Sequence, residues 1–239
     1  MNERRFELTV DDETIVGDIL GATNAPGALF LHGAGQSQRQ RQRLLREELV
    51  TLGLGSIGFD FSGHGESSSA TPGSLQKRLR QAEQVRRHLD PGHRIHTVAG
   101  VSMSGEIAIR LACLDNSGID HVVLMVGAIY DRAAFTLPFG PAFSATIRRP
   151  GSWRDAETLE LIRHYRGGLT IIRALDDAVI PYDVADLLMN AAQSARFRRL
   201  IDLPGVDHRL SEKMAQDACL RQRIATTISA DKLDSPEEE

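Results

Sequence analysis

The stretch Gly100-Val101-Ser102-Met103-Ser104-Gly105 stands between an apolar, strand-like run, residues 95–99, and a helix-like run, residues 107–112. A serine at a tight strand-to-helix turn is held in a strained backbone conformation, with its hydroxyl exposed above the sheet. The turn needs small neighbours, and Gly100 and Ser104 supply them on either side of Ser102. The following helix brings free backbone N–H groups and the positive end of its dipole, which suit an oxyanion. The stretch therefore predicts a strand–turn–helix unit with Ser102 as a candidate nucleophile.

The same alternation of apolar runs and amphipathic segments extends along the chain in both directions. It indicates βαβ units, hence a mostly parallel sheet with helices on both faces. An alternating pattern over residues 5–10 and 14–20, around Asp11-Asp12-Glu13, predicts an N-terminal antiparallel hairpin. Strands are predicted over residues 28–31, 56–61, 95–99, 122–126, 169–174 and 199–203, and helices over 38–52, 75–89, 102–114, 155–165, 182–195 and 212–230.

The composition is that of a globular protein, with 239 residues of which 41% are hydrophobic and 25% charged. We expect a single domain over residues 1–239, because α/β folds of this length commonly form one. The net charge of -4 argues against a nucleic-acid binder. Cys113 and Cys219 have neither metal-ligand spacing nor a disulfide pattern. The acidic tail, residues 231–239, is expected to be disordered.

The location and partners follow from the same features. The sequence contains no recognisable signal peptide and no long apolar run, so we expect a cytoplasmic protein without a membrane partner. A small-molecule substrate is the expected partner, and the oligomeric state is left open.

Residues 130–154 interrupt the alternation with an apolar segment rich in proline and phenylalanine. A loop this long within a compact domain is usually functional, so we expect a small cap that lines a substrate site. The alternative is a surface loop that packs its own aromatic side chains. The expected pocket residues are Phe135, Leu137, Phe139 and Phe143.

Polar groups follow three other predicted strands. In His32-Gly33-Ala34-Gly35 the glycines let backbone N–H groups point inward, so the N–H of Ala34 and that of Met103 are candidate oxyanion donors. The alternative is a turn that only caps a helix, with Ser37 as its N-cap. The segment Asp176-Asp177 places a carboxylate after one strand, and His208 follows the last strand. The chain order is then Ser, Asp, His.

With these segments in place, the chain resembles the α/β-hydrolase-fold serine hydrolases over roughly residues 4–230. His32-Gly33-Ala34-Gly35 resembles the family's oxyanion loop. The segment 60–67 resembles the family's D-x-x-G-H-G-x-S pattern, in which His64 is structural; a catalytic His64 is the less favoured alternative.

The same resemblance selects the acid and the histidine. Asp177 lies four residues before Pro181 and matches the acid of the D-x-[VI]-[VI]-P pattern, which leaves Asp176 a bystander and Asp131 a second alternative. His208 lies three residues after a glycine and matches the histidine of the G-x-x-H pattern.

The resemblance implies an α/β-hydrolase fold and a Ser102, Asp177, His208 triad, with the N–H groups of Ala34 and Met103 as oxyanion donors. It implies hydrolysis of a carboxylic ester or thioester of small to medium acyl size through an acyl-enzyme, without a metal or cofactor. The alternatives are an aminopeptidase, amidase or acyltransferase with the same triad, and a non-catalytic binding protein on this fold.

A run of arginines follows the predicted oxyanion loop. We expect it to form a solvated basic face on the next helix. The alternative is a basic rim for an anionic substrate, such as an acyl-CoA phosphate. The run consists of Arg39, Arg41, Arg43 and Arg46.

Overall fold

The structure is a computed structural model and describes residues 2–22 and 26–230. Its strands are β1 (Glu3–Val10), β2 (Glu13–Leu20), β3 (Ala28–Leu31), β4 (Ser56–Phe59), β5 (Thr97–Val101), β6 (His121–Met125), β7 (Gly168–Ala174) and β8 (Phe197–Leu203). Its helices are α1 (Arg43–Thr51), α2 (Leu75–Leu89), α3 (Ser104–Ala112), α4 (Pro141–Ile147), α5 (Thr158–His164), α6 (Asp183–Ala191), α7 (Leu210–Gln216) and α8 (Ala218–Ser229). The acidic tail discussed above, residues 231–239, lies outside the described residues.

The strands form one mixed sheet in the order β1-β2-β4-β3-β5-β6-β7-β8. β1 and β2 pair antiparallel with Val10 opposite Glu13, and β2 is also antiparallel to β4. The hairpin turn uses Asp11 and Asp12 at φ values of 51° and 61°, the left-handed geometry that matches strand twist. From β4 to β8 the neighbouring strands run parallel. The predicted mostly parallel sheet with an N-terminal antiparallel hairpin is confirmed.

Helices cover both faces of the sheet, as predicted, and each face has its own apolar core. On one face α1, α7 and α8 bury residues such as Leu49 and Ile224. On the other face α2, α3, α5 and α6 bury residues such as Val85 and Ile107. Across residues 2–22 and 26–230, no helix combines the length and apolar composition that crossing a bilayer requires.

The strand order places a crevice at the carboxyl ends of β3 and β5. The chain leaves β3 for β4 on one side, whereas β5 lies on the other side. Ligands bind at such a reversal of strand order in open α/β sheets. The register puts Leu31 opposite Gly100, so the loop after β3 meets the turn after β5. It also puts Ala174 opposite Leu203, so the loops after β7 and β8 lie side by side.

Two predicted helices differ from the observed ones. The segment predicted as one helix over residues 212–230 is interrupted at Asp217, whose backbone is extended at φ -117° and ψ 98°. Its side chain accepts a hydrogen bond from the N–H of Leu220 and so caps α8. The helix predicted over residues 38–52 begins as a 3-10 turn, Arg39–Gln42, before α1.

Residues 130–154 contain α4 between two 3-10 turns, Arg132–Ala134 and Ser152–Asp155. The segment contacts the start of α2, because the N–H of Phe139 donates to the carbonyl of Gly73 and the N–H of Gln76 donates to the carbonyl of Phe135. Its role as a cap over a substrate stays a prediction.

Candidate active site

Ser102 occupies a strained turn between β5 and α3. Its φ is +50°, a conformation that is uncommon for a residue with a side chain. A Cβ at Gly100 would lie 2.2 Å from the carbonyl oxygen of Ser104, so the turn requires glycine there. The N–H of Ser102 donates to Met125 and its carbonyl accepts from Ala128, at 3.0 and 2.9 Å. Hydrogen bonds to β6 and the loop after it therefore hold the strained backbone in place.

The structure brings Ser102, His208 and Asp177 together in one hydrogen-bonded chain. The Ser102 Oγ lies 3.0 Å from Nε2 of His208, and Nδ1 of His208 lies 2.8 Å from Oδ2 of Asp177. The other carboxylate oxygen accepts the N–H groups of Val179 and Ile180 at 2.7 and 3.0 Å. Both carboxylate oxygens are thus engaged, and the imidazole is fixed between hydroxyl and acid.

The surroundings of Asp177 favour its charged form. Its side chain is only 6% exposed, and burial alone would raise the pKa. The hydrogen bonds from His208, Ile180 and Val179 outweigh burial and lower the pKa below its ordinary value of 3.8. Asp177 is therefore a carboxylate at neutral pH.

The alternative acids lie in other surroundings. The Asp176 side chain is exposed, and its N–H donates to the carbonyl of Val206. The Asp131 carboxylate accepts the N–H of Ala133 and forms an ion pair with Arg149. The hydrogen-bonded carboxylate partner of His208 is Asp177.

His64 packs against the loop that follows β3. Its Nδ1 lies 3.0 Å from the carbonyl oxygen of Ser37, and its Nε2 lies 2.8 Å from Nη2 of Arg78. Burial, followed by the charge of Arg78, lowers the pKa of His64. These contacts are those of a structural histidine.

His32 anchors the loop that follows β3. It is fully buried, its Nε2 accepts the N–H of Phe61 at 3.0 Å, and its Nδ1 lies 2.8 Å from the carbonyl oxygen of Gly33. Burial lowers the pKa of His32 well below its ordinary value, so the ring is neutral. A Cβ at Gly33 would lie 3.3 Å from the Cβ of Ser102, which shows how closely the loop approaches the turn at Ser102.

The N–H groups of Ala34 and Met103 remain available at this junction. Among the hydrogen bonds of residues 2–22 and 26–230, none uses either N–H as a donor. Ala34 is exposed and follows Gly33, and Met103 is the N-cap residue of α3. Backbone donors so placed suit an anionic oxygen bonded to Ser102.

A cavity of about 290 Å³ opens beside Ser102 and His208. Its walls include Ala34 of the loop after β3 and Val179 and Ile180 of the loop after β7. Its remaining lining comes from Gly33, Ser37, Arg41, Val101, Tyr130, Arg209, Ser211 and Glu212.

The segment 130–154 contributes Tyr130 to this cavity, a residue that the sequence did not single out. The four predicted pocket residues pack against the core instead, and Phe143 is the most buried. The rings of Phe139 and Phe143 lie 4.9 Å apart, and that of Phe143 lies 5.9 Å from Tyr130. Phe143 thus packs behind Tyr130, and Phe139 packs against Phe143. Phe135 and Leu137 belong to the same packed group.

The expectation of a solvated basic face is wrong for Arg39 and Arg46. Both side chains are buried, and both form ion pairs with Asp18. Arg39 also pairs with Asp60 and Glu66. The partners of Arg39 and Arg46 come from distant segments of the chain, which periodicity within one helix cannot reveal.

The other two arginines of the run are less buried. Arg43 pairs with Glu3 and Glu47, whereas Arg41 pairs with Glu212 at the edge of the cavity. Within the described residues, no group of three or more His, Cys, Asp or Glu side chains is placed to bind a metal ion.

Comparison with known proteins agrees with this architecture. The model of the Alpha/beta hydrolase family matches residues 28–222, which is most of the chain. The esterase Rv0045c of Mycobacterium tuberculosis is 33% identical over 104 residues, which are 43% of this chain and 33% of that esterase. The matched region thus spans about a third of that relative.

Solved structures share the fold at low sequence identity. Est1E from Butyrivibrio proteoclasticus, bound to ferulic acid, superposes with a TM-score of 0.72 at 15% identity, over 98% of this chain and 100% of that chain. The thioesterase domain from the curacin biosynthetic pathway superposes with a TM-score of 0.70 at 16% identity, with the same coverage of 98% and 100%. At such identities the likeness concerns the fold alone.

Proposed function

Because the chain belongs to the alpha/beta hydrolase family, we propose that it is a serine hydrolase that cleaves a carboxylic ester or thioester of small to medium acyl size. The observation that carries the proposal is the hydrogen-bonded chain from the Ser102 hydroxyl through His208 to Asp177. A protein that only bound ligands would not need a strained serine, a histidine and a buried carboxylate aligned in this way.

The chemistry follows from these contacts. Ser102 Oγ attacks the acyl carbon while Nε2 of His208 takes the hydroxyl proton. The tetrahedral intermediate collapses, and His208 returns that proton to the leaving alcohol or thiol, which leaves an acyl-enzyme. Water then attacks the acyl carbon while His208 takes a proton from it. His208 returns this proton to the Oγ of Ser102 as the acid product leaves.

Asp177 supports His208 in both halves of the reaction. Its carboxylate, 2.8 Å from Nδ1, selects the tautomer with the free lone pair on Nε2 and stabilises the imidazolium that forms. Val179 and Ile180 donate to its other oxygen, so the carboxylate does not rotate away.

The oxyanion of each tetrahedral intermediate would be held by the N–H groups of Ala34 and Met103. One donor of this kind is worth about 10²- to 10³-fold in kcat in other serine hydrolases. The proximity of Gly33 to Ser102 supports this role for the neighbouring Ala34 N–H.

The cavity beside Ser102 and His208 supports a substrate with a small to medium acyl group. The cavity volume of about 290 Å³ lies at the lower limit of the range for drug-sized ligand sites, roughly 300–1,000 Å³. Val179, Ile180 and Tyr130 give it apolar surface. The esterase relative and the thioesterase domain with the same fold support an ester or thioester. We also propose that residues 130–154 form a small cap over the substrate site, with Tyr130 at the inner edge of the cap.

Labelling with a fluorophosphonate probe tests the serine, and a substrate panel tests the class. We expect the wild type to be labelled covalently and Ser102→Ala to remain unlabelled. The panel pairs p-nitrophenyl esters and acyl thioesters of increasing chain length with matching anilides. Short and medium esters or thioesters should be hydrolysed fastest.

Other results of these assays would redirect the assignment. Faster cleavage of the anilides would favour an amidase or aminopeptidase, and acyl transfer to an added alcohol in preference to water would favour an acyltransferase. A folded wild type without labelling or turnover would indicate a binding protein.

A further inference from the structure

Arg78 is a buried cation that lies directly behind the oxyanion loop. It belongs to α2, is 3% exposed, and takes part in no ion pair among the described residues. Its guanidinium packs over the ring of Phe61, 4.6 Å from the ring centre, and donates to Nε2 of His64 at 2.8 Å. Burial lowers its pKa to about 10, which still leaves it charged at neutral pH. A buried charge without a carboxylate partner is costly, so its contacts need an explanation.

The guanidinium of Arg78 also lies 5.5 Å from the ring centre of Phe139, and its Nη1 donates to the carbonyl oxygen of His32 at 3.4 Å. The shorter backbone contact of Arg78 is with the peptide that joins Gly33 to Ala34. Its Nη1 donates to the carbonyl oxygen of Gly33 at 3.0 Å. The same oxygen lies 2.8 Å from Nδ1 of His32, which carries the ring proton because Nε2 accepts the N–H of Phe61. Two donors, one of them cationic, therefore converge on one carbonyl.

That carbonyl shares a rigid unit with the proposed oxyanion donor. In a planar trans peptide the C=O and the following N–H point in opposite directions. The N–H of Ala34 thus points away from the buried guanidinium, on the side where Gly33 and Ala34 line the cavity with Ser102. Hydrogen bonds to a peptide oxygen polarise the unit and strengthen its N–H as a donor.

We infer that Arg78 is a positioning residue for the oxyanion hole: it fixes the Gly33–Ala34 peptide and strengthens the Ala34 N–H toward the reacting oxygen. The inference rests on the proposed function, in which that N–H binds the oxyanion. Arg78 acts through the peptide and touches no substrate atom.

The test compares Arg78→Met with Arg86→Met. Arg86 is the matched control, because it lies on the same helix, is 4% exposed and donates to a backbone carbonyl, that of Ser117, at 2.7 Å. Both variants lose a buried guanidinium and should lose stability. Only Arg78→Met should lower kcat, by about 10- to 100-fold, while KM stays within about threefold of the wild-type value. This decrease in kcat is smaller than that expected for the complete loss of an oxyanion donor.

A trifluoromethyl ketone provides a readout that a purely structural role would not move. Ser102 adds to its carbonyl and forms an anionic hemiketal, so its affinity reports on the oxyanion hole. We expect that affinity to fall in parallel with kcat/KM in Arg78→Met, while the affinity for the neutral alcohol product stays constant. Arg78→Lys, which retains a charged donor, should recover part of both losses.

If Arg78→Met does not fold, Arg78→Gln replaces it in the same assays. Arg78→Gln also removes the charge, but it changes the polarity of the side chain less than Arg78→Met does. A folded Arg78→Met or Arg78→Gln with wild-type kcat and wild-type ketone affinity overturns the inference and leaves the proposed function standing. Equal losses in Arg86→Met would also overturn it. A wild type that neither hydrolyses esters nor reacts with fluorophosphonate would instead contradict the proposed function itself.

Discussion

The hydroxyl of Ser104 donates a hydrogen bond to the carbonyl oxygen of His32 across 2.5 Å. This contact joins the first turn of α3 to the loop after β3, and both residues are fully buried. The G-x-S-x-G pattern of α/β-hydrolase nucleophile turns has glycine at the position of Ser104, and glycine has no side chain with which to make this bond. The departure from that pattern thus ties the turn at Ser102 to the loop that follows β3.

Substitutions at the two serines should separate their roles. Ser104→Gly and Ser104→Ala should keep fluorophosphonate labelling and lose about 0.5–1.5 kcal/mol of unfolding free energy with the hydrogen bond. Ser102→Ala should lose labelling while remaining folded. Mass spectrometry of the labelled protein and urea unfolding measure both effects. Labelling that survives in Ser102→Ala and disappears in Ser104→Ala would reverse the assignment.

Replacing the acid should impair turnover only at Asp177. Asp177→Asn removes the charge that orients His208 and stabilises the imidazolium, so kcat should fall by about 10³- to 10⁴-fold. Asp176→Asn and Asp131→Asn are the controls, because neither carboxylate bonds to His208. If kcat fell by a comparable factor in either control while Asp177→Asn stayed active, the catalytic acid would be the residue replaced in that control.

Aromatic side chains of residues 130–154 should influence chain-length preference. Phe143→Ala and Phe139→Ala remove packing behind Tyr130, so the Tyr130 side chain should be able to move and leave room for longer acyl groups. Each methylene newly accommodated is worth about 0.8 kcal/mol. Phe197→Ala, at the start of β8, is the control for lost aromatic packing elsewhere. A lower Tm with an unchanged chain-length profile would return the segment to a purely structural role.

Activity should rise with pH because His208 must be neutral to accept the serine proton. The Asp177 carboxylate, whose pKa is lowered, stays ionised through this range and does not cause the rise. We expect kcat/KM on an ester without a titratable group to increase from about pH 5 to about pH 8. A decrease over that interval would require a protonated group and would exclude His208 as the general base.

Stability should decrease in acid, in part through His121. Burial lowers the pKa of this side chain from 6.5 to about 3. Below pH 6.5 the unfolded chain therefore binds a proton that the folded chain does not, and stability falls as pH decreases towards about 3. His121 contributes on the order of 1 kcal/mol per pH unit within that window.

Urea unfolding as a function of pH measures this contribution. His121→Gln should flatten the dependence, although it also disturbs the contact with Thr170 at 2.9 Å and lowers stability at neutral pH. The exposed His164 provides the control, and His164→Gln should retain the wild-type slope. An unaltered slope in His121→Gln would mean that its imidazole titrates similarly in the folded and unfolded chains.

The alternation of elements and the candidate reacting groups were predictable because they depend on short segments. Period-two and helical patterns indicated the hairpin and βαβ units, and Gly100 beside Ser102 indicated the strained turn. Asp177 and His208 follow strands whose register lays their loops side by side, so correct strand order brings them together.

The tertiary structure decided what depends on distant partners. Arg39 and Arg46 belong to a basic run in the sequence, yet Asp18, contributed by β2, meets both of them in the interior. The role inferred for Arg78 depends on its hydrogen bond to the Gly33 carbonyl, 45 positions away in sequence. Helix and strand patterns are local, whereas the burial of a charge and the lining of a cavity depend on how the strands are ordered and the helices packed. The sequence alone therefore determined the order of the elements and the candidate reacting groups, and folding decided which charged side chains support them.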